Sequence, residues 1–97
     1  MVQPARDDRE PMKADEVAAA VAAAPGVVAL SGGRLGGAGT YLPGRRVTGV
    51  VVRDGDIEVH VIGRYGIPVG TIAAGVRRAA EPFSGGHPVH VIIDHLA

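Results

Sequence analysis

The segment Ile57-Glu58-Val59-His60-Val61-Ile62-Gly63-Arg64-Tyr65-Gly66-Ile67-Pro68 constrains the fold more than any other stretch of this chain. Its first half alternates with period two, the pattern of a strand with one covered face. Ile57, Val59 and Val61 fall on one side, and Glu58, His60 and Arg64 on the other. Tyr65-Gly66 ends the alternation. Pro68 suits a first helical position, where a missing N–H costs nothing. A strand that feeds a helix directly needs that helix, or another, to cover its apolar side.

The rest of the chain supplies the partners. Residues 1–13 hold Pro4, Pro11 and the mixed charges Arg6, Asp7, Asp8, Arg9 and Glu10, with no apolar period, so a disordered tail is expected there. From about Asp15 to Ala24 the spacing is helical: Val17, Val21 and Ala24 share a face, Asp15 can cap or complement the positive helix end, and Pro25-Gly26 ends it. Val27 to Ser31 reads as a short strand. Residues 32–46 carry Gly32, Gly33, Gly36, Gly37, Gly39, Pro43 and Gly44, and read as a flexible loop with room for a bulged strand extension. Val47 to Arg53 is a strand, Asp54-Gly55 is a hairpin turn, and Ile57 to Arg64 is the return strand. A second helix runs from about Pro68 to Glu81, with Val69, Ile72, Ala73, Val76, Ala80 and Phe83 as its apolar stripe. Val89 to His95 is the last strand. The order α-β-β-β-α-β predicts an α+β fold: a two-layer sandwich with two helices packed on one face of a mainly antiparallel sheet, formed by a single domain over 14–97.

Composition narrows the function. With 97 residues and Tyr41, Tyr65 and Phe83 as the only large rings, the core must be aliphatic. Ten basic residues, of which Lys13 is the single lysine, balance ten acidic ones. A net charge of zero speaks against a dedicated nucleic-acid or membrane-surface binder. There is no cysteine, hence no disulfide or thiol chemistry. No apolar run approaches the roughly 20 residues that span a bilayer, and the N-terminus lacks the apolar stretch of a signal peptide. A cytoplasmic location without direct membrane insertion is expected.

Several blocks together resemble a known family. Ala22-Ala23-Ala24-Pro25-Gly26-Val27-Val28-Ala29-Leu30-Ser31-Gly32-Gly33 is similar to the opening A-x-x-x-P-G-V block of the alkaline shock protein 23 family, the envelope stress response proteins. Val47-Thr48-Gly49-Val50-Val51-Val52 resembles its GV-x-V strand, and Ile57 to Pro68 its block ending Y-G-x-x-I-P. Val76-Arg77-Arg78-Ala79 and Val89-His90-Val91-Ile92-Ile93-Asp94 resemble its second helix and closing strand. The similarity covers about residues 15–95, with a shorter Gly-rich loop and His90 where the family often has asparagine. The resemblance implies a small bacterial protein without catalytic activity, linked to envelope homeostasis and stress. Some members of that family self-associate, and some are tethered to the membrane through a small membrane-protein partner.

Candidate chemistry is sparse. His60, His87, His90 and His95 invite a metal reading, with His60 and His90 on one sheet face and Asp94 following, but no tight ligand spacing supports zinc. As solvent-facing groups, four imidazoles would instead make a pH-sensitive surface. The Gly32 to Gly39 run opens onto a strand and not onto a helix, unlike a phosphate loop. Asp54, Asp56 and Glu58 crowd a hairpin tip, and Ser31 and Ser84 have no readable His-Asp partners, so no catalytic site, metal or cofactor is expected. What remains is a scaffold or adaptor that works through protein contacts and forms homo-oligomers. Its expected contact residues are Glu58, His60, Ile62, Arg64, His90, Ile92 and Asp94 on the open sheet face, with Arg45, Arg46, Arg77 and Arg78. The alternative is an RNA- or nucleotide-binding module that uses the arginine-rich loop; such a module wants a Gly-x-x-Gly clamp between helices or aromatic stacking platforms, and Gly63-Arg64-Tyr65-Gly66 has that spelling but follows a strand.

Overall fold

The structure, a computed structural model, describes residues 13–97. The elements are α1 (Ala14–Ala22), β1 (Val27–Leu30), β2 (Gly39–Leu42), β3 (Arg45–Thr48), β4 (Val50–Arg53), β5 (Asp56–Gly63), α2 (Val69–Ala80) and β6 (Val89–Leu96), with a 3₁₀ turn at Glu81–Phe83. The fold is α+β, two helices over a mixed sheet whose pairings are mainly antiparallel.

β5 is the hub. β6 lies parallel to it along most of its length, from Ile57↔Val89 to Gly63↔Leu96. The opposite edge of β5 is shared: β4 pairs antiparallel with Asp56 to Val59, and β1 pairs antiparallel with Val61 to Gly63. Arg53 and Asp56 close the predicted hairpin around Asp54-Gly55, and both turn residues have positive φ (52° and 82°). That combination is the one a two-residue hairpin of this twist demands.

The alternation in β5 sorts its side chains as the sequence implies. Ile57, Val59 and Val61 are wholly buried against Val17 and Val21 of α1 and Ile72 and Val76 of α2, all equally buried. Neither helix has a side-chain cap; α1 starts at Ala14, so Asp15 and Glu16 sit in its first turn, where carboxylates suit the positive end. Of the two roles expected of Asp15, it complements the positive helix end and does not cap it. Pro68 is the residue before α2 and not its first turn, and Val69 is 54 % exposed although it lies on the expected stripe.

The chief correction concerns residues 32–46. Instead of a loop followed by one strand over 47–53, the chain forms a second hairpin: β2 pairs antiparallel with β3, from Gly39↔Thr48 to Leu42↔Arg45. Pro43-Gly44 makes its turn, with Gly44 at φ 77° in the position where a type II turn needs glycine. The strand order is thus α-β-β-β-β-β-α-β. The expected tail over 1–13 lies outside the described residues except for Lys13, whose N–H donates to Phe83 O at 3.1 Å. Among the described residues no helix is long and apolar enough to cross a membrane.

Candidate interaction surface

The open face of the sheet centres on His60, where the neighbours of β5 change over. The His60 N–H donates to Gly49 O (2.7 Å), and its C=O accepts from the Ser31 N–H (2.8 Å). Gly49 separates β3 from β4 at φ 86°, and its N–H donates to Ala38 O (2.9 Å). A Cβ at position 49 would lie 2.9 Å from His60 O and 3.0 Å from Leu30 Cβ, so only glycine lets the chain pass there. The Ala38 N–H in turn donates to Gly32 O (2.8 Å). The Gly-rich segment is therefore docked by backbone hydrogen bonds at the junction.

Side chains on this face form pairs. His60 sits between two carboxylates: Nδ1 is 3.2 Å from Asp94 Oδ2 and Nε2 is 3.4 Å from Glu58 Oε1. The His60 and Asp94 side chains are 14 % and 9 % exposed, so each leans on the other for polar contact. Asp94 reaches His60 because of a register shift: Val61 pairs with Ile93 and Ile62 with His95, leaving Asp94 as the extra residue of a bulge. Glu58 also accepts from Arg53 Nε (2.9 Å). His90 lies one step away, with Nε2 2.7 Å from Asp56 Oδ2. The His87 Nδ1–H donates to Gly55 O (2.7 Å). His60, His87 and His90 thus have separate partners. Among the described residues no three His, Asp or Glu side chains converge in a way that could hold a metal ion.

Of the expected contact residues, Glu58, His60, Ile62, His90, Ile92 and Asp94 come together on this face, with Ile62 and Ile92 half-buried among the polar pairs. Arg64 does not join them: it lies past the end of β5, exposed, with its N–H donating to Gly26 O (2.8 Å). The arginines are dispersed. Arg45 is ion-paired with Asp15 of α1, a contact that raises its pKa above the ordinary arginine value. Arg46 lies on the Gly39 backbone and over the Tyr41 ring (5.5 Å to the centroid), and its Nη2 donates to Gly36 O (2.9 Å). Arg77 Nε donates to Val89 O (3.3 Å), whereas Arg78 lines a groove of about 650 Å³ between the end of α1 and α2.

A second apolar surface escaped the sequence reading. Val69 and Ala73 of α2 with Val91, Ile93 and Leu96 of β6 line a shallow groove of about 500 Å³ beside the sheet edge. The signal for it was present in Val69, which begins the stripe of α2 but lies too near the helix start to reach the core. No known protein family, curated protein or solved structure matches this chain.

Proposed function

We propose that this protein is a non-enzymatic scaffold or adaptor that acts through protein–protein contacts, in the envelope-homeostasis or stress setting that its resemblance to the alkaline shock protein 23 family implies. One observation carries the reading: the open face offers Ile62 and Ile92 framed by polar groups already paired within the chain. Such a surface can be covered without stranding an unpaired charge, the arrangement a protein interface needs. The ionisable groups lie on an open sheet face and are engaged with one another, Arg53, Glu58, His60 and Asp94 in a row and His90 with Asp56, which supports binding over acid–base chemistry. The nucleic-acid alternative loses support from the same geometry, because Arg45, Arg46 and Arg53 are each engaged within the chain. A cytoplasmic protein that reaches the membrane only through a partner fits this reading.

The test is substitution on the open face. Ile62→Asp is expected to leave the fold intact by circular dichroism and to abolish association with the native partner in pull-downs using the full chain. If Ile62→Asp and Ile92→Asp leave both folding and every association unchanged, the reading fails.

A further inference from the structure

Among the described residues β6 is the longest open edge of the sheet. Among the described residues it pairs with β5 alone, over the eight residues Val89–Leu96. The outer edge of β4 is met by the Thr40 hydroxyl, which donates to Val50 O, and β1 is a four-residue strand with a register irregularity. Proteins usually guard a long edge with lysine, proline or a bulge. β6 contains neither lysine nor proline, and its bulge at Asp94 leaves the first part unguarded.

The ladder shows which groups are free among the described residues. The Ile57 N–H donates to Pro88 O at 2.8 Å, so in a parallel ladder residues 90 and 92 bond β5 while Val91 and Ile93 turn their N–H and C=O outward. Val89 O is taken by Arg77. Past the bulge the phase reverses, since the Ala97 N–H donates back to Gly63 O at 2.9 Å. The usable edge ahead of the bulge is therefore Val91 and Ile93.

We infer that this edge binds a second copy of the chain, β6 against β6, antiparallel about a two-fold axis at Ile92. The register follows from the free groups: antiparallel strands exchange hydrogen bonds between residues that both point outward. Val91 opposite Ile93 of the second copy, and the reverse, satisfies all of them at once. In that register Ile92 meets its own copy and His90 lies opposite Asp94. The open face of β6 reads imidazole, isoleucine, carboxylate, a sequence complementary to itself when reversed. On the other face the two apolar grooves meet, which removes Val69 and Leu96 (54 % and 40 % exposed) from water. Gly70 and Ala73 let the two copies of α2 approach closely. The contact is isologous and closes on itself. It rests on the scaffold reading and names one partner and the edge that partner uses.

The absence of cysteine makes the register testable. Residues facing each other in a non-hydrogen-bonded antiparallel pair have Cα atoms about 4.5 Å apart, within the about 4.4–6.8 Å that a disulfide spans. With the full chain, light scattering should rise with concentration from 9.9 kDa to twice that mass. In a glutathione buffer, Ile92→Cys should form a disulfide dimer roughly 100-fold faster than Tyr65→Cys, whose site is 79 % exposed but off the edge. Circular dichroism of both variants confirms the fold. Equal rates overturn the register even where the mass doubles, and the scaffold reading then stands with another interface. A chain that stays at 9.9 kDa overturns the proposal, and pull-down with Ile62→Asp judges the scaffold reading separately. A dimer that forms only after removal of residues 1–12 also overturns it, since the tail would then be the occupant.

Discussion

The two faces of β5 are built from one eight-residue alternation and held by different physics. Toward the helices, Ile57, Val59 and Val61 are wholly buried in an aliphatic layer, where contacts are non-directional and depend on volume. On the open side, Glu58, His60 and Ile62 are half-covered, and the polar groups depend on particular partners: Arg53, Asp94 and the backbone at Gly49 and Ser31. The comparison teaches that one periodic rule can specify a core and a contact surface together. The core side tolerates any aliphatic residue of matching size, whereas the open side is set by geometry that a one-residue bulge creates.

Substitutions should separate the faces in order of size. Ile57→Ala on the covered face is expected to cost about 2–5 kcal/mol in urea unfolding, because it opens a cavity in a dry layer. A cost below that of any open-face change would break the comparison. Gly49→Ala should follow, at about 1–3 kcal/mol from the positive φ alone, and its close approach to His60 O adds to that. On the open face, a double-mutant cycle with His60→Gln and Asp94→Asn should give a coupling of about 0.5–3 kcal/mol, since both side chains are largely covered. Zero coupling would mean the pair is incidental. Tyr41→Ala, which removes the ring beneath Arg46, should cost about 0.5–1 kcal/mol by thermal melting. Arg45→Ala should leave the melting temperature unchanged within error, because its ion pair with Asp15 is exposed to water.

Much of the fold was legible because its signals are local. Asp54-Gly55 names its turn, Val17, Val21 and Ala24 name a buried face, and the alternation from Ile57 places β5. The β2–β3 hairpin was missed although Pro43-Gly44 is a turn signature flanked by Thr40-Tyr41-Leu42 and Arg45-Arg46-Val47. Glycines usually mark mobility, and here Gly49 marks a place where the His60 backbone comes too close for a Cβ. Grouping His60, His90 and Asp94 on one face was correct in outline. Their pairing was not readable, because the bulge that turns Asp94 toward His60 depends on how β6 sits against β5.

The sequence by itself determined both helices, the β4–β5 hairpin, the strands β1 and β6, the covered face of β5, and an aliphatic core without thiol chemistry, since periodicity and side-chain chemistry are properties of neighbouring residues. Only the tertiary structure decided that β5 shares one edge between β1 and β4, that Arg45, Arg46, Arg53 and Arg77 are scattered and engaged, and that among the described residues β6 keeps Val91 and Ile93 free at an open edge. Those outcomes depend on which backbone groups find partners far along the chain, and no local pattern records that.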